Sequence, residues 1–225
     1  MEKTNIHTAV QEMSCSLEQF RLLTPSTFVL RFKRNQLKFQ AGQHLLLGLP
    51  GSQEAREYSI YSGESDNAVE VLIKEIDEGL VSRQLKSLES GGNLRVKGPY
   101  GFFLKNADRT GDRPLLFLAS GTGIAPFHSF IRSHPRADYR LFHGVRTRDE
   151  AYEAHEYAPE RLTVCTSRDK SGDFSGRLTD CLKTAPLDPR THVFLCGNSD
   201  MIYDAMDVLH ARGLSQNQIF TEVYF

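Results

Sequence analysis

The stretch Leu115–Ile131, L-L-F-L-A-S-G-T-G-I-A-P-F-H-S-F-I, passes through three kinds of local structure in one short run. Leu115 to Ala119 is an unbroken apolar segment of strand length, the pattern of a strand covered on both faces. Gly121-Thr122-Gly123 makes a tight turn, and Ala125–Ser133 can form a helix. Glycines there let a backbone approach a pyrophosphate, and a helix beginning at the turn adds N–H groups and the positive end of its dipole. Pro126 stands where a dinucleotide fingerprint would have its third glycine. Turns of this kind also serve as plain tight connections, so the stretch establishes a strand–loop–helix unit and leaves its ligand open.

Downstream the same rhythm repeats. Apolar segments appear at YRLFHGV, RLTVCTS, HVFLCG and IFTEVYF, with helix-compatible stretches at Arg177–Thr184 and Ser199–Arg212. Alternating strands and helices imply βαβ units and a parallel sheet, here of five strands. An acidic residue for an adenosine ribose is missing from the end of YRLFHGV, where Arg146 follows instead. Ser167, Arg168 and Arg177 offer a hydroxyl and two guanidiniums that could grip a 2′-phosphate by charge-assisted hydrogen bonds. Taken alone, the same arginines are ordinary solvated loop charges.

Upstream the rhythm is different. TFVLRFK, HLLLGL, AVEVLIKEI and NLRVKG are short β segments separated by Gly-containing turns, which suggests an antiparallel barrel or sandwich. One helical stretch, Leu80–Glu89, interrupts them. The change falls at the polar, Gly/Pro-bearing segment Asp108–Pro114, giving domains of 1–108 and 114–225.

Composition narrows the function class. With 225 residues, 40% hydrophobic and 24% charged, the chain has the profile of a globular protein. A net charge of −1 lacks the basic excess of a nucleic-acid binder. Cys15, Cys165, Cys181 and Cys196 form no CxxC pair, which excludes the usual local spacings of zinc or iron–sulfur ligands. The first twenty residues hold no signal-peptide core, and nothing approaches a membrane span. A reduced, cytoplasmic setting is the expectation.

Arg56–Ser62, R-E-Y-S-I-Y-S, sits between F-Q-A-G-Q-H and V-L-I-K…G-L-V-S, with G-P-Y-G-F-F further on. Together with G-T-G-I-A-P, H-G-V-R-T, S-R…G-R, L-C-G-N-S-D-M and the closing E-V-Y-F, this ordered set resembles the ferredoxin(flavodoxin)–NADP reductase family over nearly the whole chain. The resemblance implies a Greek-key β-barrel holding FAD, followed by a Rossmann-like α/β domain for NADP. It implies that Arg56 pairs with the FAD pyrophosphate, Tyr58 flanks the isoalloxazine and Ser59 bonds near flavin N5. Leu72, Ile73 and Lys74 would lie along the cofactor, with Gly79, Leu80, Val81 and Ser82 at its phosphates and Thr122 in the same set.

By the same resemblance Tyr224 stacks on the flavin face that nicotinamide must later occupy, a planar interaction that can be displaced. Phe225 matches the extra terminal aromatic of bacterial-type members, which packs against the adenine. Glu222 and Cys196 match a carboxylate and a cysteine beside the reaction centre; with Ser59 and Tyr224 they form the expected catalytic set. Gly121, Thr122, Gly123, Arg146, Ser167, Arg168, Arg177, Cys196, Gly197, Asp200 and Met201 are the expected NADP contacts.

The implied activity is hydride transfer between NADPH and FAD, and single-electron exchange with a separate carrier such as ferredoxin or flavodoxin. The alternative is the NAD(P)H-dependent reductase component of an oxygenase, or a flavin reductase, on the same core. A third possibility, an electron-transfer subunit carrying its own iron–sulfur centre, lacks the cysteine cluster it would need.

Overall fold

The computed structural model describes residues 10–104 and 113–224. Much of the proposed junction 108–114, and Phe225, therefore lie outside the described residues. The first domain consists of β1 (Gln11–Thr24), β2 (Thr27–Lys33), β3 (His44–Gly48), β4 (Ala55–Ser59), β5 (Ala68–Lys74), α1 (Leu80–Lys86) and β6 (Asn93–Tyr100). The strands run antiparallel in the order β4-β3-β6-β1-β2-β5. A single bridge, Ile60 to Val71, links the two ends of this sheet and almost closes it into a barrel.

Strand alternation explains how the barrel faces its neighbour. In β5, Val69, Val71 and Ile73 point into the barrel core with Phe28, Leu30, Phe32, Leu45 and Leu47. Leu72, on the opposite face, joins a second apolar cluster shared with the other domain. Both faces of β5 are thus covered, which is why the strand is buried from Ala68 to Ile73.

The second domain comprises β7 (Leu115–Ser120), α2 (Ala125–Ser133), β8 (Tyr139–Val145), β9 (Leu162–Thr166), β10 (Phe174–Ser175), α3 (Leu178–Thr184), β11 (His192–Asn198), α4 (Ser199–Ala211) and β12 (Ile219–Tyr224). Its sheet has the order β10-β9-β8-β7-β11-β12, and every pair is parallel. The five strands expected from the sequence are all present. A sixth, the two-residue β10, pairs Phe174 and Ser175 with Cys165 and Thr166.

Here too a period of two sorts the core. Leu116 and Leu118 pack with α3 and α4, whereas Leu115, Phe117 and Ala119 face α2 and the barrel. Phe117 stacks on Phe127 with ring centroids 4.7 Å apart. Truncating a buried phenylalanine of this kind costs roughly 3–5 kcal/mol.

The domain junction is a continuous packed interface. Val29, Ala41, Tyr61, Leu72 and Leu104 of the barrel share one cluster with Leu115, Phe117, Phe127 and Phe130. Polar contacts fix its register: His128 lies flat on Tyr61 at 3.6 Å, Ser129 donates to the Ser62 carbonyl at 2.7 Å, and Arg21 pairs with Glu153 at 2.8 Å. β7 is flanked by β8 on one side and β11 on the other, so the order of connection reverses there. In open α/β sheets the ligand crevice lies outside the carboxyl ends of the strands at such a reversal.

Candidate active site

Four side chains converge where the barrel edge meets the ends of β11 and β12. Ser59 closes β4 and is buried. Cys196 and Glu222 are register partners on the adjacent parallel strands β11 and β12, and Tyr224 lies beside Asn198 two residues further on. The Tyr224 hydroxyl donates to Ser59 Oγ at 2.6 Å, and Ser59 Oγ donates to Glu222 Oε1 at 3.0 Å. Cys196 Sγ lies 4.0 Å from the same carboxylate oxygen. The result is a directed chain from a phenol through a hydroxyl to a carboxylate, spanning both domains.

Burial tunes these groups. Removal from water pushes the Glu222 carboxyl up to about 7, against a smaller opposing effect of the Ser59 hydrogen bond. Burial also drives the Cys196 thiol well above its ordinary range, with the Glu222 charge adding to the effect. Cys196 is therefore held as a neutral thiol, suited to packing and positioning rather than nucleophilic attack.

The Glu222 shift makes a statement about stability. Between the ordinary value of 4.5 and about 7 the folded chain keeps a proton that the unfolded chain has released, so stability falls as pH rises through that window. Glu222→Gln is expected to flatten this slope and to be more stable than the parent above pH 7, by about 2 kcal/mol after allowing for partial exposure. Urea midpoints at pH 5, 6, 7 and 8 measure it; parallel slopes in the two proteins would contradict the burial of a proton at Glu222.

On the barrel side, the expected flavin contacts surround the gap where the barrel fails to close. Past the Ile60–Val71 bridge, β4 and β5 diverge, and no strand pairs with the outer edge of β5 at Leu72–Lys74 among the described residues. The Leu72 and Ile73 side chains point into cores, so only their backbone edge is open to a ligand. Tyr58 is half-buried beside this gap, its hydroxyl pushed up to about 12 by burial. Arg56 is exposed; its guanidinium donates to the Ala55 carbonyl at 2.9 Å and lies 3.5 Å from Glu54. α1 follows Gly79 with no side-chain cap, so its opening amides have no side-chain acceptor. The Ser82 hydroxyl is occupied locally, accepting from Ile76 N–H at 3.2 Å and donating to the Gly79 carbonyl. An open strand edge, a flanking phenol, an exposed guanidinium and uncapped amides fit a flat ring bearing a pyrophosphate.

The second domain carries a crevice of about 900 Å³ at the carboxyl ends of its strands. Gly121, Thr122, Arg146, Ser167, Arg168, Arg177, Gly197, Asp200, Met201, Lys74 and Tyr224 all line it. Gly121 has φ +52°, and a Cβ added there would meet nothing within 4 Å, so its open side adjoins free space. Gly123 is different. A Cβ at that position would lie 2.2 Å from the Cys196 carbonyl oxygen, and so this glycine serves the close approach of the turn to β11. Cys196 itself is wholly buried beneath the crevice. The Asp200 and Met201 amides already donate to the Asn198 side chain, which caps α4.

Three contributors were not singled out from the sequence. Ser120 Oγ accepts the Asn198 N–H at 2.9 Å and ties β7 to β11 at the crevice floor. His143 is buried, kept neutral by a downward shift to about 4, and bonds the Gly121 carbonyl at 2.9 Å. Glu150 lines the crevice beside Arg146. Only the Ser/Asn pair carries a recognisable signal, the Asn of a capping position directly after a strand.

Comparisons with known proteins agree with this geometry. Residues 11–104 match the family model described as an oxidoreductase FAD-binding domain, and residues 117–207 match that of an oxidoreductase NAD-binding domain. Ferredoxin–NADP reductase B of Sorangium cellulosum (strain So ce56) is 31% identical over 91% of this chain and 94% of its own length. The toluate 1,2-dioxygenase electron transfer component of Pseudomonas putida is 30% identical over 93% of this chain, which spans 66% of that relative. For the phenol 2-monooxygenase reductase component DmpP of Pseudomonas sp. (strain CF600) the identity is 30%, over 90% of this chain and 63% of the relative. Among solved structures, a ferredoxin NADP+ reductase from Neisseria gonorrhoeae, with bound FAD and NADP, superposes with a TM-score of 0.87. It is 24% identical, and the match covers 95% of this chain and 99% of the other. No helix among the described residues is long and apolar enough to cross a membrane.

Proposed function

The chain belongs to the ferredoxin–NADP reductase family, and from that premise we propose that it exchanges hydride with NADPH and single electrons with a separate carrier such as ferredoxin or flavodoxin. FAD, when bound, supplies the redox chemistry, accepting a hydride and releasing electrons singly. The protein's part is to bind, orient and exclude water.

Arg56 and the amides opening α1 would hold the pyrophosphate, while Tyr58 and the edge of β5 at Leu72–Lys74 would hold the ring. Tyr224 would cover the face that nicotinamide must reach, anchored by its bond to Ser59. Arg168 and Arg177, with Ser167, would grip the 2′-phosphate at the far end of the crevice. Ser59 and Glu222 would hold or move a proton near the reacting nitrogen, and a carboxyl shifted to about 7 can do either near neutral pH. Cys196 would set the position of the nicotinamide. Phe225, matched by resemblance to a residue that packs on adenine, lies outside the described residues.

The observation that carries this reading is the join between the two lobes. Tyr224, bonded to Ser59 of the barrel, also lines the crevice that contains Arg168 and Arg177. A second reading, the reductase component of an oxygenase, is supported by the two such relatives at 30% identity.

Cytochrome c reduction by NADPH, with and without ferredoxin or flavodoxin across a salt series, separates the two readings. The first expects a carrier-dependent acceleration that weakens as ionic strength rises. Flavin that is still bleached by NADPH, with no acceleration by either carrier, would favour the second.

A further inference from the structure

An adenosine ribose is read, in many dinucleotide domains, by an acidic side chain at the end of the second strand. In this chain that position, directly after β8, holds Arg146. The fold nevertheless returns a carboxylate to the same place. The chain turns through a single 3-10 turn, Arg148–Glu150, and Glu150 folds back onto the strand end. Its Oε2 accepts the Arg146 backbone N–H at 3.0 Å, while Oε1 accepts from Arg146 Nε at 2.8 Å and from Nη2. Arg146 is thereby held by the carboxylate through its main chain and two nitrogens of its guanidinium.

The neighbouring cations are in a different state. Arg168, whose backbone N–H donates to the Arg146 carbonyl at 2.8 Å, forms no ion pair among the described residues. Arg177 likewise forms no ion pair among the described residues, and its charge helps to lower the pKa of the nearby Asp180. All three arginines and Glu150 line one crevice. Lys74, reaching the same crevice from the barrel, adds its field to that of Arg146 in keeping Glu150 ionised.

We propose that Glu150 is the residue that limits coenzyme discrimination, competing with a 2′-phosphate for Arg146 and accepting ribose hydroxyls when that phosphate is absent. The inference rests on the reading of this crevice as the NADP site. Arg168 and Arg177 meet the phosphate directly. Arg146 joins them only by giving up its bonds to Glu150, and the carboxylate so released faces an anion, which offsets part of the benefit. A coenzyme lacking the phosphate meets the opposite situation, a carboxylate lining the same crevice that could accept from its hydroxyls without giving up Arg146. The site therefore accepts both coenzymes, with a preference smaller than three arginines alone would produce.

Calorimetric titration with 2′,5′-ADP and 5′-AMP tests this without turnover and without the nicotinamide. In Glu150→Gln, 2′,5′-ADP is expected to bind about tenfold tighter and 5′-AMP about threefold weaker, the size of effect that making or breaking one charge-assisted hydrogen bond produces. Arg146→Gln should do the reverse, weakening 2′,5′-ADP and tightening 5′-AMP. A purely structural role would move both ligands in the same direction in each variant, and that result, or a ratio unchanged within about twofold, overturns the proposal. The double replacement Arg168→Gln/Arg177→Gln separates the two levels. If it weakens 2′,5′-ADP while Glu150→Gln changes nothing, only the role of Glu150 fails. If it leaves 2′,5′-ADP untouched, the crevice is not a 2′-phosphate site and the proposal falls with it.

Discussion

Replacing Arg168 and Arg177 together by glutamine is expected to raise the KM for NADPH by about a hundredfold and to leave that for NADH within about threefold. Each guanidinium would lose a charge-assisted hydrogen bond to the 2′-phosphate, worth about 1.5 kcal/mol in an open crevice, and two such losses give the hundredfold. The effect should be confined to KM. The 2′-phosphate is remote from the nicotinamide, and the bonds to it are the same before and after hydride transfer, so kcat should hold. Initial rates with both coenzymes measure this. Equal changes for NADPH and NADH would return both arginines to the status of solvated loop charges.

Tyr224→Ser is expected to have the other large effect, cutting the preference for NADPH over NADH by about tenfold or more. On the proposed reading the ring would compete with nicotinamide for one surface, and offset stacking of this kind is worth about 1 kcal/mol beyond its area. Its hydroxyl bonds Ser59 at 2.6 Å, a second point that would hold the ring in that covering position. With the ring gone, nicotinamide of either coenzyme gains access without a displacement step. Discrimination at the distant phosphate then counts for less of the whole. Nicotinamide should also linger, lowering kcat through slower product release. Tyr224→Phe divides the two contributions, since it keeps the stacking surface and removes only the Ser59 bond. Preference unchanged in the serine variant would remove Tyr224 from the coenzyme path.

The parts of this structure that are legible in sequence share a physical reason: their burial repeats with the period of their element. β5 alternates because Val69, Val71 and Ile73 meet the barrel core while Glu70, on the opposite face, is buried in ion pairs with Arg21 and Arg31. β7 and β11 read as solid apolar runs because helices or the barrel cover both sides. β1 escapes such reading. It runs from Gln11 to Thr24, pairs first with β6 and then with β2, carries two register shifts in the β2 pairing, and buries only Cys15 and Leu17, so no single period survives along it. β10, two residues long, is created by its neighbour β9 and has no pattern of its own.

The site divides along the same line. Residues within one motif, such as Arg56, Tyr58 and Ser59, or Gly121 and Thr122, are close in sequence and legible as a set. Groups that act through a turn or across domains are not. Glu150 is invisible at the end of β8 because its carboxylate arrives there only after the chain doubles back. The Tyr224–Ser59–Glu222 chain joins residues far apart in sequence, and no spacing rule relates them. Likewise the junction between domains, read in sequence as a polar linker, is flanked by a shared apolar cluster that fixes how the two lobes face each other.

The most direct test of a flavin held between the barrel edge and Tyr224, open to a phosphorylated nicotinamide coenzyme, is anaerobic mixing of the FAD-loaded protein with NADPH or NADH while the flavin absorbance is followed. Rapid bleaching by NADPH, faster than by NADH at equal concentration, is the expected result. A protein that takes up no FAD, or whose bound flavin stays oxidised with both coenzymes, would contradict it.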